Sequence, residues 1–355
     1  MSVDPRLQTR ATTLFGVQYP IVQTGMGWVS NAKLTAATCN AGGLGIIAAA
    51  PMTFDQMVQA VRDVKESTDK PFGVNLRTDA GDIDQRVDFV IAQKVPVASF
   101  AQAPGEKTVK KLKDAGVVVM PTIGARRHAE KVAAWGVDAV IAQGAEGGGH
   151  TGQVPTAILI PQVLDAVDIP VLAAGGITDG RGLAAMLAMG ASGVAMGTRF
   201  LLTADSSVPD HVKQLYLKAT VFDTVVSKAI DGAPQRVIRT PVIDRLEKAK
   251  VLGFPKAAAN ALRFRKLTGM PLGQLLKEGL AMKKSQELTW AQMAMAANAP
   301  MMTKATMVDG HPEVGILPTG QGVGAIDSLP TCAEIISSMV AQASAQLDRL
   351  CGGQG

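Results

Sequence analysis

Eight short runs of apolar and β-branched residues recur in the first part of the chain, and they constrain its fold more than any other feature. Segments with helical periodicity lie between them, for example 54–66 and 180–189. Runs that are apolar throughout are typical of parallel strands buried on both faces. Eight such strands alternating with helices predict a (β/α)8 barrel of the TIM type, with a doubly wound sheet as the rival. The predicted strands are 20–23, 44–48, 72–75, 95–100, 117–121, 139–143, 170–174 and 193–197.

The pattern changes after the eighth run. No strong strand is predicted from 206 to 288, and residues 211–290 contain 15 Lys and Arg against 6 Asp and Glu, although the whole chain carries a net charge of only +5. This concentrated positive charge predicts a mainly helical insertion. A stretch rich in Gly and Pro then leads to an amphipathic helix near 330–347. We predict a barrel over 1–205, a helical substrate domain over 206–300, and a segment over 301–355 that packs back on the barrel.

Composition argues against several classes of protein. No apolar stretch reaches the roughly 18 residues of a membrane-spanning helix, so we expect a soluble, cytoplasmic protein with no membrane partner. Cys39, Cys332 and Cys351 are far apart and lack CxxC spacing, which predicts reduced thiols and no metal site. The pI near 9.1 makes nucleic acid a partner to consider. Aromatic residues make up only 4% of the chain and no nucleic-acid motif occurs, so we expect no such partner.

A glycine-rich loop follows the sixth predicted strand and carries a histidine. It reads Glu146, three glycines, His150, Thr and Gly. Glycines remove the Cβ atoms that would hold a planar ligand away from the backbone, so the loop predicts a base exposed to a bound ligand. Glu146 either orients this imidazole, contacts substrate, caps a helix or faces solvent. His128, His211 and His311 are predicted to face solvent.

The ends of the seventh and eighth predicted strands suit a phosphate group. Gly175 and Gly176 end the seventh strand, and Gly197 and Thr198 end the eighth. In (β/α)8 barrels ligands bind at the carboxyl ends of the strands, and the loops after strands seven and eight commonly hold phosphate. A single Gly pair is more often only a turn, but two at consecutive strand ends favour a cofactor that carries phosphate.

Other strand ends offer groups that suit a flat heteroaromatic ring. Gly25, Met26 and Gly27 follow the first strand, where Met26 either lines the ring or fills the core. Asn75 and Gln143 end the third and sixth strands, and each amide presents both a donor and an acceptor. A lone buried amide usually caps a turn, whereas two amides at one barrel mouth favour a role in binding a ligand.

Taken together, these motifs resemble the nitronate monooxygenase family along the whole chain. The resemblance implies an FMN-binding (β/α)8 barrel with a smaller helical domain inserted after the eighth strand, and it implies that His150 is the catalytic base. Gln321, in the motif Thr-Gly-Gln-Gly, resembles a late segment that returns to the flavin. The implied FMN contacts are Gly25, Met26, Gly27, Asn75, Gln143, Gly148, Gly149, Gly175, Gly176, Gly197, Thr198 and Gln321.

The glycine-rich loop and the segment 283–292 resemble a narrower group within the family. Its members are flavin-dependent dehydrogenases that act on a hydroxy-indanone carboxyl-CoA during steroid degradation. This resemblance implies an enzyme that introduces an α,β double bond into 5-hydroxy-7a-methyl-1-oxo-octahydroindene-4-carboxyl-CoA. His150 would take the α proton and FMN the hydride. A nitronate monooxygenase using FMN and O2 and an NADH:quinone reductase remain alternatives.

An acyl-CoA substrate agrees with the basic insertion, because Lys and Arg bind phosphate through charge-assisted hydrogen bonds. Any one of these cations is more often simply a solvated residue. Trp28 and Trp290 either line the substrate cavity or pack in the core. The electron acceptor is unknown, and formation of a homo-oligomer stays open. The candidate substrate residues are Glu146, Trp28, Arg236, Arg239, Lys283, Lys284 and Trp290.

Overall fold

Eight parallel strands close into a barrel in the computed structural model, which describes residues 4–249 and 290–352. Each strand pairs in register with its neighbours along the chain, and the eighth returns to the first through Ile21 paired with Val194. The predicted (β/α)8 barrel is therefore confirmed, and all eight predicted strands are present. They are β1 Ile21–Gln23, β2 Leu44–Ala48, β3 Phe72–Leu76, β4 Val97–Phe100, β5 Val118–Ile123, β6 Val140–Gln143, β8 Val171–Ala174 and β9 Gly193–Met196. A two-residue strand, β7 Gly149–His150, lies outside the barrel.

Helices follow the strands and form the outer layer. Their ends carry the capping residues that the sequence supplies: Thr53 caps α3 and Asp179 caps α8 with side-chain oxygens that accept from backbone N–H groups. The helices are α1 Arg10–Phe15, α2 Ala32–Asn40, α3 Phe54–Ser67, α4 Ile83–Ala92, α5 Glu106–Asp114, α6 Arg126–Ala134, α7 Thr156–Leu164, α8 Gly180–Ala188, α9 Thr198–Leu201, α10 Asp210–Leu217, α11 Pro241–Ala249, α12 Trp290–Met307 and α13 Cys332–Cys351.

The interior of the barrel is a packed apolar cluster. Alternate residues of the strands point inward, so Val22, Val97 and Leu172 belong to this cluster while their neighbours join the outer core. Ala11 and Phe15 of α1 belong to the same interior cluster. Because α1 precedes β1, it closes the amino-terminal end of the barrel. The carboxyl ends of the strands are left to form a cavity.

The insertion contains two strands that the sequence did not predict. β10 Thr224–Ser227 and β11 Gln235–Ile238 form an antiparallel hairpin, and β11 also pairs with β7. The expectation of no strand after 206 is wrong in this respect. Each strand has four residues and mixes polar with apolar positions, so its pattern is weak, and pairing with the glycine-rich loop supplies the missing partner. The boundaries at 205 and 300 stay predictions.

The C-terminal segment contacts the barrel layer at two described places. The predicted helix near 330–347 is α13, and the Gln342 side-chain oxygen accepts from the N–H of Gly180 at the start of α8, at 3.0 Å. A second contact joins the N–H of Cys332 to an Asp205 carboxylate oxygen at 2.7 Å. Within residues 4–249 and 290–352, no helix is both long enough and apolar enough to span a membrane.

Candidate active site

A cavity of about 1100 Å3 lies at the carboxyl end of the barrel. Loops after all eight barrel strands border it, together with the loop between β10 and β11 and part of α12. Most of the predicted site residues meet here because residues that follow parallel strands gather at one end of a barrel. Those that line the cavity are Gly25, Met26, Gly27, Trp28, Asn75, Gln143, Glu146, Gly148, Gly149, His150, Gly175, Gly176, Gly197 and Thr198.

His150 is held by a carboxylate that the sequence analysis missed. Its Nε2 lies 2.8 Å from an Asp231 carboxylate oxygen, and its side chain stays 65% exposed while that of Asp231 is 10% exposed. Burial raises the pKa of the Asp231 carboxyl, but hydrogen bonding and charge from His150, with further donors, lower it more, so the net pKa is below its ordinary value. Asp231 is therefore an ionised acceptor that fixes the ring through Nε2.

The hairpin of the insertion places Asp231 against the loop. Gln235 is paired with His150 in the sheet, and the Thr151 N–H donates to the Pro234 carbonyl at 3.1 Å. The Ala233 N–H and the Gln235 side chain donate to the two oxygens of Asp231, at 3.1 and 2.5 Å. The sequence holds one usable signal for this residue, because Asp231 and Gly232 form a turn-like pair between two short β-like runs.

Glu146 caps a helix. Its carboxylate accepts from the Thr156 N–H at 3.0 Å and from the Thr156 hydroxyl at 2.7 Å, at the first turn of α7. The residue before α7 is Pro155, which supplies no side-chain cap. A carboxylate at a helix N-terminus satisfies free N–H groups and interacts favourably with the helix dipole. Of the roles considered for Glu146, the structure thus favours the cap, and Asp231 orients the imidazole.

The glycines of the loop are needed for close approach to the late segment near Gln321. A Cβ on Gly148 would lie 2.5 Å from the carbonyl carbon of Thr319. The Gln321 N–H donates to the Glu146 carbonyl at 2.9 Å, and the Gly320 N–H donates to the Thr198 hydroxyl at 2.9 Å. Gln321 thus joins the loop through its backbone, and its neighbours Gly320 and Gly322 line the cavity.

The cavity walls fit a flat cofactor that carries phosphate. Gly175 and Gly176 have φ of +105° and +72°, a backbone that side chains rarely tolerate, and they leave this strand end free of Cβ atoms. On the opposite part of the wall, the Asn75 side-chain N–H donates to the Ser99 hydroxyl at 3.3 Å, and Asn75 lines the cavity. Glycines at two neighbouring strand ends and side-chain amides along the wall fit the close backbone approach and the hydrogen bonds that a flavin phosphate and ring require.

The candidate substrate residues fall into separate places. The Arg236 guanidinium donates to the Ala145 carbonyl at 2.9 Å and to the Thr224 hydroxyl at 3.0 Å, so the insertion itself uses it. Burial lowers the pKa of Arg236. Arg239 pairs with Asp244 at 2.9 Å, and neither arginine lines the cavity.

Of the other candidate substrate residues, Trp28 lines the cavity and donates from Nε1 to the Pro300 carbonyl at 2.8 Å. Trp290 begins α12, while Lys283 and Lys284 lie outside the described residues.

The remaining histidines are exposed, as expected. His128 lies on α6 and also borders the cavity, whereas Nε2 of His211 donates to the Gly310 carbonyl at 2.8 Å and Nδ1 of His311 lies 3.1 Å from a Glu313 carboxylate oxygen. Among the described residues, no group of three or more His, Cys, Asp or Glu has the geometry to hold a metal ion.

The site has a histidine held by a carboxylate, and it lies beside a glycine-lined cavity at the carboxyl end of a (β/α)8 barrel. These features are typical of barrel enzymes that combine proton transfer with a bound planar cofactor. A family model described as "Nitronate monooxygenase" matches residues 8–84 and 78–342. The chain belongs to the nitronate monooxygenase family. Membership supports a flavin as the cofactor.

Two relatives are similar over almost the whole chain. One, of Rhodococcus jostii (strain RHA1), is 56% identical over 345 residues, which cover 97% of this chain and 98% of the relative. Another, of Mycobacterium tuberculosis, is 55% identical over 346 residues, covering 96% and 98%. Both are named (3aS,4S,5R,7aS)-5-hydroxy-7a-methyl-1-oxo-octahydro-1H-indene-4-carboxyl-CoA dehydrogenase.

A solved structure has the same fold. FabK from Thermotoga maritima is 34% identical and superposes with a TM-score of 0.80 over 98% of this chain and 99% of that chain. The family name and the names of both relatives are those of oxidoreductases. The chain is an oxidoreductase.

Proposed function

We propose that the chain is an FMN-dependent dehydrogenase of the 5-hydroxy-7a-methyl-1-oxo-octahydroindene-4-carboxyl-CoA thioester, acting in steroid degradation. The observation that carries this proposal is the 56% identity, across 97% of the chain, to a relative named for that substrate. The site geometry supports the reaction type, because a positioned base beside a planar cofactor suits removal of an α proton coupled to hydride transfer.

FMN is the proposed flavin. Its phosphate would lie at the ends of β8 and β9, where Gly175, Gly176, Gly197 and Thr198 border the cavity. The flavin ring would lie against Met26 and the amide of Asn75. When bound, FMN supplies the two-electron acceptor for the hydride that leaves the β carbon. Contact of the glycine-rich loop and Gln321 with FMN stays a prediction.

His150 is the proposed base. The hydrogen bond from Nε2–H to the ionised Asp231 leaves Nδ1 with the lone pair, and we assign that tautomer from the hydrogen-bond network. Nδ1 then takes the proton from the carbon next to the thioester carbonyl, a position acidified by that carbonyl. The Asp231 carboxylate stabilises the imidazolium that forms, as an ion pair at 2.8 Å.

Residues of α12, which spans the end of the insertion, would enclose the ring system of the substrate. Ala299, Pro300, Thr303 and Met307 of α12 line the cavity, and Trp28 fixes this helix to the loop after β1. An apolar wall of this kind suits a methylated bicyclic acyl group and limits access of water. On this proposal residues 1–205 hold the flavin and 206–300 supply much of the substrate contact. We also propose a cytoplasmic location, since the three cysteines are unpaired.

The test is to reduce the FMN-loaded protein anaerobically and to monitor the reduction by the visible spectrum of the flavin. Addition of the hydroxy-indanone carboxyl-CoA thioester should bleach the oxidised flavin band. His150→Gln should keep the bound flavin and lose this bleaching by about a hundredfold or more in rate. Bleaching by an alkyl nitronate or by NADH, with no response to the thioester, would contradict the proposal and favour the nitronate monooxygenase or the quinone reductase.

A further inference from the structure

A group of basic side chains borders the cavity beside β5. His128 and Lys131 of α6 both line it, and since they are three residues apart on one helix they share a face. Arg127 does not line the cavity itself, but its Nε lies 3.4 Å from Nε2 of His128. We call Arg127, His128 and Lys131 the α6 basic rim.

The charge of this rim is not balanced by carboxylates. Most other charged groups of the cavity have a described partner: Arg77 pairs with Asp79, His150 with Asp231, and Glu146 caps α7. Within the part of the chain that the structure describes, neither Arg127 nor Lys131 forms a salt bridge, and Lys131 lies 5.1 Å from the centroid of the Trp135 ring. The adjacent Arg126 differs, because it pairs with Glu130 at 2.8 Å.

The rim lies away from the proposed flavin phosphate. In the closed order of the barrel β6 lies between β5 and β8, and both β6 and β8 lie between β5 and β9, whereas the flavin phosphate is proposed at the ends of β8 and β9. Cations at the rim of a cavity, apart from the glycines proposed to hold the flavin phosphate, favour a further anionic ligand. Two arginines in the described part of the insertion are engaged elsewhere, because Arg236 donates to Ala145 and Thr224 and Arg239 pairs with Asp244.

We propose that the α6 basic rim binds the phosphate groups of the CoA moiety, and thereby sets the direction in which the thioester enters the cavity toward His150. This inference rests on the proposed function for its ligand. CoA carries its phosphates at the far end of an extended pantetheine arm, so the cations that bind them belong at the cavity rim and not beside the base. Arg127 and Lys131 provide permanent charge, and His128 adds a hydrogen bond donor.

Steady-state kinetics of the FMN-loaded enzyme with two thioesters test the rim. Arg127→Gln with Lys131→Gln should raise KM for the CoA thioester about tenfold or more, the usual effect of losing charge-assisted contacts. KM for the matching pantetheine thioester, which lacks the nucleotide phosphates, should move less than about twofold. The matched control is Arg126→Gln on the same helix, whose paired guanidinium should leave both KM values near wild type. Equal effects on both thioesters, or none on either, would overturn the proposal.

Direct binding separates this inference from the proposed function. Free CoA titrated into the FMN-loaded protein should bind more weakly to the double variant by the same factor, and added salt should weaken its binding to wild type more than to the variant. If the thioester reduces the wild-type flavin but CoA binds both proteins equally, the proposed CoA contact of the rim is contradicted and the proposed function is retained. If CoA binding depends on the rim but no thioester reduces the flavin, the proposed reaction is contradicted and the CoA contact of the rim is retained.

Discussion

The imidazole of His150 and the carboxylate of Asp231 meet at 2.8 Å although 81 residues separate them in the sequence. One belongs to the glycine-rich loop of the barrel and the other to the hairpin of the insertion. The pairing of β7 with β11 brings them together, since Gln235 is opposite His150. The insertion thus completes the site of the barrel, and Asp231 acts as a positioning residue for the proposed base.

Asp231→Asn should keep the fold and the flavin while slowing flavin reduction by the thioester about a hundredfold or more, because an amide can present its N–H to Nε2 and stabilise the wrong tautomer. KM should change little, since Asp231 acts through His150. Stopped-flow absorbance measures the rate. Asp244→Asn, at an exposed pair with Arg239, is the matched control. A reduction rate within about threefold of wild type would remove Asp231 from this role.

The same substitution predicts a pH dependence of stability. The folded-state pKa of Asp231 is lowered below 3.8, so its carboxylate stabilises the fold at pH values above the unfolded pKa and loses this effect as the pH falls through the folded value. Wild type should therefore exceed Asp231→Asn in Tm at about pH 6, and the difference should shrink below about pH 4. Thermal denaturation across that range measures it, and a difference that grows on acidification would contradict the assignment.

Glu146→Gln should separate a capping role from an orienting role. The amide oxygen can still accept from the Thr156 N–H, but the charge at the first turn of α7 is lost, so stability should fall by about 0.5–1 kcal/mol. The rate of flavin reduction should fall far less than in Asp231→Asn. A loss of rate equal to that of Asp231→Asn, at unchanged stability, would make Glu146 the residue that orients His150.

Cysteine reactivity follows from burial. Burial raises the pKa of the Cys39 thiol to about 11 and that of Cys332 to about 12, whereas Cys351 is exposed near the end of α13. The thiolate is the reactive form, so a disulfide reagent at about pH 8 should label one thiol of the native protein quickly. Cys351→Ser should abolish this fast phase, and denaturant should expose the other two. Rapid labelling of more than one thiol in the native protein would contradict the burial.

The barrel was predictable because its strands are apolar on both faces and follow one another at regular spacing. The cavity residues were predictable for the same reason, since a residue that ends a barrel strand can only lie at the barrel mouth. The hairpin was not, because Gln235 and Arg236 are polar and pair with a loop distant in sequence. Charge alone suggested Arg236 as a phosphate ligand, but its hydrogen bonds to Ala145 and Thr224 depend on that same pairing.

Gly175→Ala tests whether the end of β8 is shaped for the flavin. Gly175 has φ of +105°, and an added Cβ would lie 2.9 Å from the Thr156 hydroxyl, so the variant carries backbone strain and displaces the contact between the Glu146 loop and α7. Strain of this kind costs about 1–3 kcal/mol, which should lower Tm and the flavin bound per chain. Gly81→Ala is the control, since an added Cβ there meets nothing within 4 Å. Flavin content is measured from the absorbance ratio after gel filtration. A Gly175→Ala protein with full flavin content would show that this turn does not contact the phosphate.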